Sequence, residues 1–261
     1  MLCGRCGAVF SDVSEETYVH LRHNVWDEDQ TSEQARRFYR DMRAAVHRDF
    51  LEYVGRDRSP GRLLDVGCGL GVFMQRAREH GWDVHGCDTS VGWVAQAREL
   101  LGAPDAVTHS NALALEPCAG GYDLITLWDV IEHIYEPLAV LAHIRTLLAP
   151  GGQVFIRTPN ILYVWPIYGF RRSLLGHPVE LGPLNHVVYF QRATMGRALA
   201  SAGFAPRVWR VFRPPQVPLG NSTASVRLKN AYARIARATA DASGGCVLLG
   251  SDLDVFAEVA R

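Results

Sequence analysis

The chain has 261 residues with 27 basic and 27 acidic side chains, and this neutral balance argues against a nucleic-acid footprint, which needs a basic stripe. At 48% hydrophobic and 21% charged residues it is ordinary globular material, enough for one large domain with a small appendage. No stretch approaches the roughly 18 apolar residues of a membrane span, the six cysteines do not make a disulfide scaffold, and the first residues lack a signal-peptide apolar region, so a cytoplasmic protein with no membrane attachment is expected.

Residues 1–32 form a polar N-terminal segment with a lone Cys3-Gly-Arg-Cys6, and the main domain is expected over 33–261. A helix is expected over 33–54, where Phe38, Met42, Ala45, Val46, Phe50 and Val54 recur at steps of three and four. Arg56–Gly61 reads as a turn. Strands near 62–66, 83–87, 105–108, 122–127 and 152–157 then alternate with helices near 71–80, 90–101 and 137–148. That alternation implies an α/β protein, a doubly wound, mostly parallel sheet with helices on both faces. Ser90 suits an N-cap and Pro137 a first helical turn.

Residues 159–190 break the rhythm. Pro159, Pro166, Pro178 and Pro183 exclude a long regular element, and the segment is dense in aromatic and basic residues. A helix over 192–202, a strand over 204–211, a loop over 214–224, a helix over 225–241 and a strand over 253–259 complete the chain.

The most informative stretch is Leu63-Leu-Asp65-Val-Gly67-Cys68-Gly69-Leu-Gly71, a strand that turns through alternate glycines into a helix. Such a turn lets backbone N–H groups approach a ligand with no Cβ in the way. Dinucleotide sites favour G-x-G-x-x-G, but here Val72 stands where that third glycine would be. The next strand ends in Asp88-Thr89, where a carboxylate can accept two hydrogen bonds from a ribose diol.

The pattern D-x-G-x-G-x-G resembles the first motif of class I S-adenosyl-L-methionine-dependent methyltransferases. Asn111-Ala112 after the third strand, Tyr122–Ile134 and Leu148-Ala-Pro-Gly-Gly152 resemble the later motifs, in order, over roughly residues 35–260. The resemblance implies a Rossmann-like, seven-stranded sheet closed by an antiparallel hairpin. It implies S-adenosyl-L-methionine held by Asp65, Gly67, Cys68, Gly69, Asp88, Thr89, Asn111, Ala112, Trp128 and Asp129. Cys68 and Cys87 are also read as small core hydrophobes.

Methyl transfer to a hydroxyl requires loss of a proton, so a general base is expected. His133, after the fourth sheet strand, is the first candidate, with a structural histidine as the bland alternative. His186 matches a step that often faces the acceptor pocket in the family, or else packs at a helix entry. Tyr163, Trp165 and Tyr168 could cover a flat or greasy acceptor, and Arg171 and Arg172 could grip its carboxylate or phosphate; packing and a solvated turn are the plain readings.

Asp129-x-x-Glu132-His133 resembles the metal cluster of quinone-biosynthesis O-methyltransferases, with the shorter Asp129 where those relatives usually carry Glu; the preferred reading has no metal. Cys3-x-x-Cys6-Gly resembles the second knuckle of a zinc ribbon whose first knuckle is absent, and His20-x-x-His23 is a tight-spaced alternative source of ligands. A vestigial, partly mobile N-terminus is preferred over zinc.

The expected function is methylation of a small-molecule acceptor, with O-methylation in natural-product or quinone-like biosynthesis first. C-methylation of a nucleotide sugar or polyketide, and a cofactor-binding subunit without turnover, stand as alternatives. A homodimer is compatible with the sequence and not required by it.

Overall fold

The computed structural model describes residues 8–11, 14, 16–18, 41, 43–163, 186–212 and 223–260, apart from the side chains of 223–229. Seven strands form one sheet: β2 (Arg62–Val66), β3 (Asp83–Asp88), β4 (Val107–His109), β5 (Tyr122–Trp128), β6 (Leu148–Pro159), β8 (Phe204–Arg210) and β9 (Asp252–Val259), in the order β4-β3-β2-β5-β6-β9-β8. Strands β2 to β6 pair in parallel, and β9 inserts antiparallel between β6 and β8. The doubly wound, mostly parallel sheet and its closing antiparallel hairpin are as expected. A further pair joins β1 (Val9–Phe10) to β7 (Val188–Tyr189), antiparallel.

Alternate residues of each strand face opposite layers. Leu64, Val66, Ile125, Leu127, Val154 and Ile156 meet α4 (Pro137–Leu147) and α5 (Arg192–Ser201) through Leu141, Ile144, Met195 and Leu199. On the other face, Leu63, Leu124, Phe155 and Phe256 meet α1 (Ala44–Asp57), α2 (Val72–Glu79) and α3 (Val91–Leu101) through Phe50, Phe73, Val94 and Ala97. The aromatic cluster around fully buried Phe50 fixes α1 against the sheet, with Phe155 at 4.5 Å and Trp128 at 5.0 Å between ring centroids. Helix α6 (Thr223–Ala242) joins this layer through Arg237, which donates to both carboxylate oxygens of Asp49.

Several boundaries move. The third strand begins at Val107, later than expected, because Pro104 opens a 3₁₀ turn over Pro104–Ala106. Helix α1 extends two residues into the expected turn, ending at Asp57. Ser90 caps α3 by accepting from the Trp93 amide, and Pro137 opens α4. A 3₁₀ turn at Ile131–His133, not expected from periodicity, follows β5. The N-terminal segment is not detached where it is described. Besides the β1–β7 pairing, the Ser11 hydroxyl donates to the His186 carbonyl at 2.7 Å and the Tyr18 hydroxyl to the His133 carbonyl at 2.8 Å.

Candidate functional site

In open α/β sheets a ligand lies outside the carboxyl ends of the strands, where the strand order reverses. Here that point is the crevice between β2 and β5, and a cavity of about 560 Å³ opens there, the size of a small-ligand site. Asp65, Gly67, Cys68 and Gly69 form its floor, Asp88 and Thr89 the end of β3, Asn111 and Ala112 the turn after β4, and Trp128, Asp129 and His133 the segment after β5. All ten residues expected around the cofactor, and the expected base, therefore share one cavity.

Gly69 sits in the left-handed region with φ +52°, and a Cβ there would come within 2.8 Å of the Trp93 ring, so the loop and α3 close together only with glycine. The loop's amides are spent differently from the simplest expectation. Gly67 and Cys68 both donate to the Cys87 carbonyl, at 2.8 and 3.0 Å, and Gly69 donates to Oδ2 of Asp88 at 2.9 Å. Ser90 N–H donates to Oδ1 of Asp88 at 2.9 Å. Each carboxylate oxygen keeps a further lone pair, so Asp88 is fixed in orientation and still able to accept. Asn111 uses its side-chain oxygen to cap the next turn, accepting from Ala114 N–H at 3.0 Å.

Asp65 is buried beneath the loop, accepting from the Thr126 hydroxyl at 2.7 Å, and burial raises its pKa to about 7. Cys68 and Cys87 are buried and free, and burial pushes the Cys87 thiol up to about 12, in keeping with small core hydrophobes rather than nucleophiles.

The α1 wall of the cavity holds two residues that sequence reasoning missed, Arg43 and His47. Arg43 pairs with Asp129 at 2.7 Å. Asp129 is the one non-glycine residue with positive φ among the described residues, at 52°, and its amide donates to the Arg157 carbonyl. His47 is 3% exposed, edge-on to Trp128 and Phe73, with Nδ1 2.9 Å from the Arg76 guanidinium. The available signal was their spacing of four residues on one helical face. It reads equally as a polar interruption of an apolar stripe.

His133 lines the cavity, and the ring of His186 meets it edge-on with centroids 4.8 Å apart. His186 is not among the residues that line this cavity; its ring contact is with His133. Burial lowers the His186 pKa, opposed by the Asp129 charge. Glu132 is buried, its Oε2 accepts from Thr158, and burial, then the Asp129 charge, raises its pKa well above the usual range. Ligand atoms of Glu132, His133 and His186 lie within 4.8 Å of one another, so the group that could hold a divalent ion takes His186 in place of the expected Asp129.

Tyr163 does not line the cavity either. Its ring lies 5.8 Å from that of Tyr232 on α6, the packing alternative to a lid. Trp165, Tyr168, Arg171 and Arg172 lie outside the described residues, as do Cys3, Cys6, His20 and His23. Among the described residues, no helix is long and apolar enough to cross a membrane.

Known proteins share this architecture. A family model described as a methyltransferase domain matches residues 33–207. The ubiquinone biosynthesis O-methyltransferase of Aromatoleum aromaticum is 30% identical over 158 residues, covering 56% of this chain and 67% of that protein. The enzyme of the same name from Pseudomonas aeruginosa is 33% identical over 103 residues, covering 38% of this chain and 44% of its own length. Magnesium protoporphyrin IX methyltransferase from Synechocystis PCC 6803, solved with bound SAH, has a TM-score of 0.56 at 15% identity, covering 93% of this chain and 94% of that one. A chain of the Haloferax volcanii complex between the Trm112 methyltransferase activator and a methyltransferase has a TM-score of 0.61 at 15% identity, covering 95% of this chain and 100% of its own; at such identities the likeness concerns the fold. With the match over 33–207 laid on a seven-stranded sheet whose switch-point cavity carries the glycine loop, the chain belongs to the methyltransferase-domain family and is a class I S-adenosylmethionine-dependent methyltransferase.

Proposed function

We propose that the chain methylates a hydroxyl of a small-molecule acceptor, in natural-product or quinone-like biosynthesis, as a cytoplasmic enzyme. The observation that carries the reading is the His133 imidazole at the cavity wall, backed by His186. The names of the relatives from Aromatoleum and Pseudomonas, both O-methyltransferases of ubiquinone biosynthesis, point the same way.

The cavity suits the cofactor on its own chemistry. Its glycine floor leaves room, Asp88 is a pre-oriented acceptor, and Arg43, His47, Trp128 and Asp129 present buried polar atoms with no partner among the described residues. When bound, S-adenosylmethionine supplies an electrophilic methyl group on a positively charged sulfur. Asp88 holds the ribose and the turn at Asn111–Ala112 borders the adenine. His133 accepts the acceptor's hydroxyl proton, which raises the nucleophilicity of the oxygen. His186, whose pKa burial lowers, packs edge-on against the His133 ring and orients it. The Tyr18 hydroxyl, donating to the His133 carbonyl, steadies the turn from the side of the N-terminal segment. Proximity and alignment in the cavity account for the rest of the rate. The described residues Val9–Phe10, Ser11 and Tyr18 tie the N-terminal segment to the domain 33–261, and 159–190 serve as the acceptor insertion.

A second reading rests on Glu132, whose buried Oε1 has no partner among the described residues. With His133 and His186 it forms a mixed oxygen and nitrogen donor set suited to a divalent cation. The test of both is an assay of the purified protein with S-adenosylmethionine and a panel of phenols, catechols and hydroxylated polyketides, before and after dialysis against a chelator. An O-methylated product insensitive to chelation supports the base reading. Loss of product restored by a divalent ion supports the metal. A C-methylated product contradicts both, and cofactor binding with no product from any acceptor favours a non-catalytic subunit.

A further inference from the structure

The turn that carries His133 does not satisfy its own backbone. In the 3₁₀ turn Ile131–His133 the first carbonyl is taken locally, by the Ile134 amide. The Glu132 carbonyl accepts from the Val187 amide at 2.8 Å, and the His133 carbonyl from the Tyr18 hydroxyl at 2.8 Å. Main-chain carbonyls away from water need partners, and here distant segments supply them. His186 is held from the same side. Ser11 gives both of its donors to the residues before β7, its hydroxyl to the His186 carbonyl at 2.7 Å and its amide to the Val187 carbonyl at 2.9 Å. This continues the β1–β7 ladder, in which Val9 faces Tyr189 and Phe10 faces Val188. A short helical turn aims Tyr18: its amide donates to the Ser14 carbonyl at 2.9 Å, and the Ser14 hydroxyl accepts from the Thr17 amide at 3.2 Å. The two imidazoles that meet at 4.8 Å thus both have their main-chain carbonyls held by hydroxyls, those of Tyr18 and Ser11.

Tyr18 is itself buried and lines the cavity. Its hydroxyl on His133 puts its ring at the β5 end, two strands from Asp88 at the end of β3. That is the end where transfer occurs, not the end that takes the ribose. We propose that residues 9–11 and Tyr18 form a strap that sets the acceptor half of the site. The Tyr18 and Ser11 hydroxyls position the His133–His186 pair, and the Tyr18 ring is a wall for a flat aromatic acceptor. This rests on the reading of His133 as the base of an O-methyl transfer, and it adds that transfer depends on the strap while cofactor binding does not. Ser11 is a positioning residue, as is the Tyr18 hydroxyl. A ladder of two residue pairs is marginal by itself, so each hydroxyl matters to the docking.

The full chain is compared as wild type, Tyr18→Phe, Tyr18→Leu, Ser11→Ala and Ser11→Thr, with a thermal transition recorded for each. Three quantities are read: calorimetric affinity for S-adenosylhomocysteine, hydrogen exchange over 131–134 and 186–189, and kcat and KM with S-adenosylmethionine and catechol, or whichever phenol reacts faster. Tyr18→Phe keeps the ring and removes the hydroxyl. It is expected to lower kcat by about 10- to 100-fold, the scale of a small misplacement of a reacting group, with acceptor KM and S-adenosylhomocysteine affinity near wild type. Tyr18→Leu is expected to raise the acceptor KM as well. Ser11→Ala is expected to lower kcat as Tyr18→Phe does, and Ser11→Thr, which keeps the hydroxyl and suits a strand, to hold it near the wild-type level. Exchange is expected to quicken in the variants that lose a hydroxyl and not in Ser11→Thr.

Wild-type kcat in Tyr18→Phe and Ser11→Ala would overturn the strap, whatever the exchange shows. Equal losses in Ser11→Ala and Ser11→Thr would overturn it too, as would a matching loss of S-adenosylhomocysteine affinity in every variant. A near-normal rate for His133→Ala would overturn the base reading instead. If wild type binds S-adenosylhomocysteine and converts no phenol, the O-methylation reading fails and diethyl pyrocarbonate decides the strap. Faster carbethoxylation of His133 in Tyr18→Phe and Ser11→Ala than in wild type, with S-adenosylhomocysteine saturating, supports it, and equal rates refute it.

Discussion

The Gly69 amide donates to Oδ2 of Asp88 at 2.9 Å, so the glycine loop after β2 and the acid at the end of β3 are one unit. With Ser90 N–H on the other oxygen, the carboxylate cannot rotate, and its remaining lone pairs face a fixed direction. An acceptor fixed in advance pays less ordering entropy when a diol docks on it.

Removing that acid has a defined effect. Asp88→Ala is expected to weaken S-adenosylhomocysteine binding by ~1–3 kcal/mol, the range of hydrogen bonds to a charged group, because both the ribose acceptor and the anchor of the loop are lost. Titration calorimetry reads it, and unchanged affinity would remove Asp88 from the site.

His133→Ala is expected to lower turnover by ~10²–10⁴ with little change in cofactor affinity. His186→Ala is expected to lower kcat less and to shift the pH at which activity rises, since it touches His133 and not the cavity. A near-normal rate for His133→Ala would make it a structural histidine.

Gly69→Ala places a methyl 2.8 Å from the Trp93 ring at φ +52°. A cost of at least ~1–2 kcal/mol is expected from the backbone alone. In denaturant unfolding the penalty should shrink, though not vanish, in a Trp93→Leu background. An equal penalty in both backgrounds would mean the ring is not the obstacle.

Asp65 gives a pH signature. Its ordinary value is 3.8, and burial raises it to about 7 in the fold. Between about pH 4 and 7 the folded state therefore holds a proton that the unfolded chain has released, and stability falls as pH rises through that window, then levels off. Asp65→Asn, which can still accept from Thr126, is expected to flatten this fall and raise stability above pH 7 in ligand-free protein. Asp254, raised by burial to about 6 against the pull of Arg157, leaves a residual slope over the lower part of the window. A pH profile unchanged by Asp65→Asn would contradict the assignment.

The parts of this structure that repeat were legible in the sequence, because each helix and strand carries its own period and each crossover its own glycine or cap. The loop Gly67–Gly71 and Asp88 follow from local pattern, and the antiparallel β8–β9 pairing from the family resemblance. What escaped is what the fold brings together across distance. Arg43 and His47 become part of the site only because Phe50 packs α1 over Trp128. His186 reaches His133 where the Val187 amide, just before β7, donates to the Glu132 carbonyl, and β7 has two residues, too few to show any period. The late start of β4 reflects Pro104, which favours a 3₁₀ turn where hydrophobicity alone reads as strand.

The most direct measurement is titration of the folded protein with S-adenosylhomocysteine in a calorimeter. Saturable heat at one site per chain, strongly reduced by Asp88→Ala, is the predicted result. No heat from material with an intact thermal transition would contradict the claim that this cavity receives the methyl donor.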